Sequence, residues 1–446
     1  MALRLHVLDA SAAGGGVCLD GTPPAYYYAP GSDSGSRSWL IFLKGGGWCM
    51  DEFACRHRSE GLEGGTSKLK ATQQLGGMLS SDPLVNPTFA HFHRAYLWYC
   101  DGSMFTSDRE APLVVGNSTV WLRGRRVLSA LLRALLGKGL GDATQVLLAG
   151  HSAGGLAATI HADAVSAMLP PSARLKAVSV SGFFLLHPGG HEVSGGGVRD
   201  RIWLRAMRGA FELHEARSGV ASNCVGARAA GDAWRCFFAN ESVVTTTTPL
   251  FLLGSSLDSW QMANVWRADQ TCTRSCFAHR SCATADVRDR LEAFSRAFVR
   301  DLSRAGGWLH RRGNGAFVHT CCEHDAYKSD AAWSTYAVGG VTMREAVQRW
   351  WEAPRDATPA AHTQLPCELR AVPPHSAEPG GRRRRLASHD GLQCNPSCAA
   401  FARASGSTSV RVARFTPRVA ATEPERAMVR RCRSHYVCKA PPPLPD

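Results

Sequence analysis

QVLLAGHSAGGLAATIHADAV, Gln145 to Val165, is the stretch on which the reading of the whole chain turns. Four apolar residues, Val146, Leu147, Leu148 and Ala149, run into Gly150-His151-Ser152-Ala153-Gly154, and a small-residue pattern then continues without proline until Pro170. This predicts a strand, a sharp turn and a helix, with Ser152 at the tip of the turn. Small residues at 150, 153, 154 and 155 let the backbone bend tightly. Such a bend presents a serine hydroxyl at the carboxyl edge of a sheet, and is expected to turn the amides of Ser152 and Ala153 toward a developing oxyanion. Gly-x-Ser-x-Gly by itself is a weak signal in a chain of 44 glycines, where an ordinary glycine-lined turn looks the same. Its weight comes from the strand before it and the helix after it.

Upstream, Ser38 to Leu43 reads as a buried strand that ends in Lys44-Gly45-Gly46-Gly47-Trp48-Cys49. Three glycines directly after a strand suit backbone amides that approach a ligand closely, so Gly46 and Gly47 are candidates for the other oxyanion donor; a plain flexible turn is the competing explanation. Arg94 to Cys100 is the next strand, followed by Asp101-Gly102-Ser103 at the same edge. Trp48 and Asp101, beside these two turns, are candidate substrate-binding residues. Apolar residues recur at helical spacing from Val120 to Leu136. Downstream, Leu175 to Val180 and Pro249 to Gly254 read as strands, Val287 to Leu302 as an amphipathic helix, Gly315 to Val318 as a last short strand and Val341 to Trp351 as a closing helix. Residues up to about 30 read as loop, 60 to 88 as polar surface, and 187 to 245 as an irregular cap or insertion. Strands alternating with helices place the chain in the α/β class, with a central, mostly parallel sheet flanked by helices.

With 446 residues, the expected layout is one large domain over 1–352, a disordered linker over 353–390 and a small Cys-containing tail over 391–446, where Cys394, Cys398, Cys432 and Cys438 form a Cys-rich C-terminal extension. The net charge of +14 favours anionic partners. The run Arg382 to Arg385 has no interleaved aromatics, so nucleic acid is not expected, and an acidic polysaccharide suits the charge better. Sixteen cysteines spread along the chain point to disulfides and an oxidising compartment. Cys272, Cys276, Cys282, Cys321 and Cys322 do not repeat as paired Cys-x-x-Cys knuckles, so no metal is expected. Cys49 and Cys55 are spaced to close a local loop that stiffens the glycines. Sequons at Asn117 and Asn240 fit a secreted glycoprotein, although the opening MALRLHVLDASAAGGG lacks an evident signal peptide. No stretch approaches the ~18 apolar residues of a membrane span, so stable membrane insertion is not expected.

A serine hydroxyl near neutral pH needs a base to take its proton and an acid to orient that base. On elbow folds the chain order is nucleophile, acid, histidine, and Ser152, Asp258 and His324 obey it, each after a predicted strand. Asp258 has a competing explanation as a turn former. Position does not separate His324 from His319, five residues earlier in the same loop. His151 is too close to Ser152 along the backbone to serve as its base and reads as packing under the turn.

Whole segments in order carry a resemblance: GGGVCLDGTPPAYYY (14 to 28), WLIFLKGGGWCMDEFACRHR (39 to 58), YCDGSMFTSD (99 to 108), LLAGHSAGG (147 to 155), PLFLLGSSLDSWQ (249 to 261) and FVHTCCEHD (317 to 325). The chain resembles the pectin acetylesterase family, which includes the Notum-type carboxylesterases, over about 14 to 352. The resemblance implies an α/β-hydrolase-like core, secretion, disulfides and neither metal nor cofactor. It places the nucleophile on Ser152, the acid on Asp258, the base on His324 and the oxyanion amides near Gly46, Gly47 and Ala153. Two residues depart from the family pattern: Lys44 stands where the family usually has Glu, and Asp325 replaces the Cys that commonly follows the catalytic histidine, so a disulfide through Cys321 or Cys322 is expected instead. The function expected is a monomeric serine carboxylic-ester hydrolase, removing O-acetyl groups from a pectin-like polysaccharide through an acyl-enzyme. The alternatives are a Notum-like carboxylesterase acting on a lipid ester and a catalytically silent glycan-binding homologue.

Overall fold

In the computed structural model, the described residues are 2–32, 35–186, 202–265, 285–305, 307–354 and 356–357. All but the first few residues of the predicted linker, the predicted tail, the Arg382 to Arg385 run and the cysteines at 272, 276 and 282 lie outside them. Strands form where apolar residues run without interruption or alternate with polar ones. In chain order they are β1 (Leu3–Val7), β2 (Ala25–Ala29), β3 (Ser38–Leu43), β4 (Thr72–Gln73), β5 (His93–Leu97), β6 (Leu113–Val115), β7 (Ser118–Val120), β8 (Gln145–His151), β9 (Arg174–Val180), β10 (Leu250–Ser255), β11 (Gly315–His319), β12 (Ala337–Val338) and β13 (Val341–Thr342). Nine of these make one sheet in the order β11-β10-β9-β8-β3-β5-β2-β1-β4, while β6 with β7 and β12 with β13 form separate hairpins. From β11 to β5 every pairing is parallel; β2, β1 and β4 continue the sheet antiparallel.

β3 and β8 are buried along nearly their whole length, which is why they read as continuous apolar runs rather than as alternating ones. The helix Ala153–Met168 packs on β8, β9 and β3, and the closing helix Met343–Glu352 packs on β10 and β11. Lys176 in the middle of β9 has no exposed surface, and its ammonium donates to the carbonyls of Trp350 (2.6 Å) and Ala353 (2.8 Å). A cation buried in a strand thus satisfies the carbonyls left over at a helix C-terminus, which a negative helix end favours.

Two expectations are corrected. The opening segment is not a loop, because β1 and β2 extend the sheet edge and Tyr26 to Ala29 pair with Arg94 to Leu97. That partner lies about seventy residues away in sequence, so nothing local to the segment announces it. The described part of the expected irregular cap is helical: Ile202–Leu213, Ser222–Gly226, Ala230–Phe237 as a 3₁₀ helix, and Ala239–Thr245. Most of these pieces are too short for a 3.6-residue period to register, and they are held by the Cys224–Cys236 bond and the buried rings of Trp203, Phe237 and Phe238. Cys18–Cys100 and Cys49–Cys55 are also bonded, and Cys321 is disulfide-bonded, in keeping with the expectation for that loop. Among the described residues no helix is long and apolar enough to cross a membrane.

Candidate active site

The sheet order reverses between β3 and β8, and the register there sets Leu43 opposite Gly150. At such a reversal the connections leave in opposite directions and open a crevice at the carboxyl ends of the strands. The glycine loop follows β3 and the Ser152 turn follows β8, so both arrive at this crevice. Ser255 of β10 pairs with His319 of β11, which brings the segments carrying Asp258 and His324 to the same edge.

Ser152 sits at φ 59°, ψ −127°, a conformation sparsely populated for any residue with a side chain. The surroundings impose it. A Cβ at Gly150 would lie 2.0 Å from the Gly154 carbonyl oxygen, and one at Gly154 would lie 2.2 Å from the Leu43 carbonyl oxygen, so the turn closes only on glycine. One part of the expected oxyanion site is corrected here. The Ser152 N–H donates to the Val180 carbonyl (2.8 Å) and is spent on the sheet, so it cannot face a substrate. Ala153 opens the helix Ala153–Met168, where the first N–H groups have no acceptor within the helix, and it remains in position as a donor.

Ser152, His324 and Asp258 meet in one hydrogen-bonded row. His324 Nε2 lies 2.8 Å from Ser152 Oγ and His324 Nδ1 lies 2.7 Å from Asp258 Oδ2. Asp258 caps the helix Ser259–Asn264 through Oδ1, which accepts from the Gln261 N–H (2.9 Å), so its two oxygens have separate tasks and its orientation is set. Burial pulls the His324 imidazolium down, but the Asp258 carboxylate more than offsets this and leaves the ring above its ordinary pKa. His319, which position could not separate from His324, accepts from the Cys321 N–H (3.1 Å) and is driven down to about 3 by burial, so it stays neutral inside the fold.

Two positioning groups were not foreseen as such. The His324 carbonyl accepts from His151 Nε2 (2.9 Å) and from Ser181 Oγ (2.9 Å), so the loop after β11 is tied to the end of β8 and to the loop after β9. His151 is held neutral by burial, at about 4, and its Nε2–H also faces the Asp325 carboxylate at 3.0 Å. Its packing under the turn was legible, since its ring lies 4.5 Å from that of Tyr327, but its reach across 173 residues was not.

The glycine loop presses on the turn: a Cβ at Gly45 would lie 2.2 Å from the His151 carbonyl oxygen and 2.8 Å from Ser152 Cβ. Gly46 and Gly47 follow, and among the described residues neither N–H, nor that of Ala153, donates to the protein. Lys44 does not leave an unbalanced charge here. Its ammonium lies 2.6 Å from Glu63, which also pairs with Arg58 at 3.1 Å. Burial lowers the Lys44 pKa; for Glu63 burial acts upward, but Arg58 and Lys44 together hold the carboxyl below its ordinary value. Cys49, Cys55 and His214 also come together, but the sulfurs are bonded to each other and His214 Nε2 donates to the Cys49 carbonyl (2.9 Å), which braces the end of the loop.

The two candidate substrate contacts fare differently. Asp101 is corrected: it is fully buried, its oxygens accept from the Phe105 N–H (3.1 Å) and the Ser107 hydroxyl (3.0 Å), and burial raises it to about 6, so it braces its own turn. Trp48 stands beside the row in an aromatic wall, its ring centre 4.8 Å from Phe184, 5.6 Å from Trp260 and 5.7 Å from Trp203. Trp260 in turn stacks toward His324 at 6.1 Å.

Known proteins share this chain's pattern. Pectin acetylesterase 11 of Arabidopsis thaliana is 31% identical over 364 residues, covering 78% of this chain and 88% of that protein. Palmitoleoyl-protein carboxylesterase NOTUM of Homo sapiens is 25% identical across 89% of this chain and 73% of that protein. A solved structure of the Wnt deacylase Notum from Drosophila shares the fold, with a TM-score of 0.64 at 21% identity over 78% of this chain and 93% of that one. The family model for Pectinacetylesterase matches residues 1–371. A match over most of the chain, together with the likeness of whole relatives, shows that the protein belongs to the pectinacetylesterase family.

Proposed function

We propose that the protein is a serine esterase that removes acetyl groups from an acidic, pectin-like polysaccharide. The observation that carries this reading is the unbroken row Ser152–His324–Asp258, with contacts of 2.8 and 2.7 Å. In the proposed reaction Ser152 Oγ attacks the ester carbonyl while His324 Nε2 takes its proton. Asp258 keeps the ring in the tautomer with its free lone pair toward Ser152 and stabilises the imidazolium that forms. The N–H groups of Gly46, Gly47 and Ala153 receive the oxyanion, commonly the largest single contribution to such a reaction. His324 then protonates the leaving sugar hydroxyl, and water repeats the sequence to release acetate and restore Ser152.

The acetyl group is favoured by the aromatic wall. Trp48, Phe184, Trp203 and Trp260 are in mutual contact at ring-centre distances of 4.8 to 6.4 Å, a closed apolar wall beside the row against which a short acyl group can pack. A lipid ester is the second reading, supported by the likeness to NOTUM. The polyanionic substrate is supported by the net charge of +14, and secretion by the disulfides at Cys18–Cys100, Cys49–Cys55 and Cys224–Cys236. Of the two sequons, Asn117 lies on the exposed turn between β6 and β7, whereas Asn240 lies in a helix with its side-chain oxygen buried. The silent alternative rests on Lys44 and on the unusual histidine loop; the pairing of Lys44 with Glu63 and the contacts of His324 with Ser152 and Asp258 support the active reading over it.

The test is hydrolysis of p-nitrophenyl acetate and p-nitrophenyl octanoate, with acetate release from acetylated pectin. The expected result is acetate turnover well above octanoate turnover, lost in Ser152→Ala by about 10⁴-fold or more. Equal rates for wild type and Ser152→Ala overturn the esterase; preference for octanoate moves the substrate to the lipid class.

A further inference from the structure

We propose that Lys44, Arg58 and Glu63 are positioning residues that hold the glycine-loop peptides with their N–H groups turned toward the reacting carbonyl. The inference rests on the serine-esterase reading above and adds to it residues outside the Ser–His–Asp row.

In a trans peptide the C=O of one residue and the N–H of the next point in opposite directions, and every peptide described in this chain is trans. Fixing the carbonyl of one residue therefore fixes the amide of the next. Lys44 Nζ donates to the Gly45 carbonyl (2.8 Å), and Arg58 Nη1 donates to the Gly46 carbonyl (2.7 Å). Those two peptides carry the N–H groups of Gly46 and Gly47, the two amides of this loop assigned to the oxyanion. The next carbonyl, that of Gly47, accepts from the Tyr99 hydroxyl (2.7 Å). Three successive carbonyls are thus each held by a side chain, two of them cationic.

Glycine alone does not secure this arrangement. Gly47 has φ 67° and open space where a Cβ would sit, so its peptides are free of local steric guidance. A flip of the 45–46 or 46–47 peptide would aim a carbonyl oxygen at the site and break a charge-assisted hydrogen bond. Glu63 spaces the two donors: its oxygens lie 2.6 Å from Lys44 Nζ and 3.1 Å from Arg58 Nη2, and a Cβ at Gly46 would strike Glu63 Oε1 at 2.7 Å and Arg58 Nη2 at 2.9 Å. The charged heads are also seated on rings, with the Lys44 ammonium over Trp98 at 4.6 Å and the Arg58 guanidinium over Tyr99 at 5.1 Å. Each of the two carbonyls accepts from a cationic donor, which polarises its peptide and strengthens the following N–H as a donor to an oxyanion.

The experiment compares wild type, Lys44→Met, Arg58→Gln and Arg58→Lys on p-nitrophenyl acetate, with the affinity for an alkyl trifluoromethyl ketone, whose Ser152 adduct carries the oxyanion. Lys44→Met and Arg58→Gln are expected to lower kcat about 10- to 100-fold with KM within about twofold, and to weaken the ketone by a similar factor; Arg58→Lys is expected to restore part of both. A purely structural role would lower the melting temperature without moving ketone affinity in step with kcat, and that result overturns the proposal, as does an unchanged kcat. Should Lys44→Met fail to fold, Glu63→Gln carries the test, because it keeps both donors and the bulk between them and loses only the charge that holds them in place: a severalfold fall in kcat with a matching fall in ketone affinity supports the proposal, and no fall overturns it. Turnover that survives Ser152→Ala overturns the esterase reading itself, whereas a Ser152-dependent enzyme indifferent to these variants overturns this inference alone.

Discussion

The two sides of the proposed oxyanion site are held by different physics. On the Ser152 side the backbone holds itself: a Cβ at Gly150 or Gly154 would lie 2.0 or 2.2 Å from a carbonyl oxygen, the Ser152 N–H is bound to Val180, and a sixteen-residue helix follows. On the Gly46 and Gly47 side, side chains do the holding, from Lys44 next door, Arg58 twelve residues on from Gly46, and Tyr99. The contrast shows that one function, pointing an N–H at a developing charge, is met by sterics where a helix is at hand and by charge and hydrogen bonding where the segment is a loop.

The chemistry both sides serve also needs the acid that orients its base. Asp258→Asn is expected to lower kcat by about 10⁴-fold, because the ring loses the partner that fixes its tautomer; a loss under tenfold in steady-state assays would separate the acid from the row. The same substitution made on the two sides then sharpens the comparison. Gly154→Ala drives a Cβ into the Leu43 carbonyl and is expected to cost about 3 kcal/mol of stability, seen as a fall in melting temperature. Gly47→Ala meets no atom but must hold φ 67°, so the expected cost is about 1 kcal/mol, with the larger effect on kcat. Equal stability losses at the two sites would break the distinction between steric and side-chain holding.

A smaller effect is expected in the pH profile. Asp258 raises His324 above the ordinary 6.5, and the base must be neutral to accept a proton, so kcat/KM should climb with pH through a value above 6.5. In Asp258→Asn the raising charge is gone and the residual activity should show its acid limb at lower pH; a limb that does not move would mean another group titrates. The smallest catalytic effect is expected for His319→Ala. That ring is neutral, buried and bonded to its own loop, so kcat should stay within about threefold while the protein loses about 1 to 3 kcal/mol of stability to denaturant. A loss near that of Asp258→Asn would transfer the base to His319.

Much of this was legible along the chain, and the reason is locality. The β8 strand, the turn at Ser152 and the helix after it are written in consecutive residues, where apolar runs and obligatory glycines carry the signal. The opening strands escaped notice because β1 pairs with β4 and β2 with β5, each about seventy residues away, and the helices from 202 to 245 because most are too short for their period to register. Asp101 looked like a ligand because its turn shares an edge with the crevice, yet its carboxylate is consumed inside that turn.

Residue order alone settled the class of fold, the serine at the bend, and an acid and a histidine in the succession that such bends use, because each depends on neighbours within a few positions. The choice of His324 over His319 by geometry, the loss of the Ser152 amide to Val180 and the partnership of Lys44 with Glu63 came from the folded chain. Each is a question of which atoms distant segments bring within about 3 Å, and hydrogen bonds and charges act at that range whatever the separation in sequence.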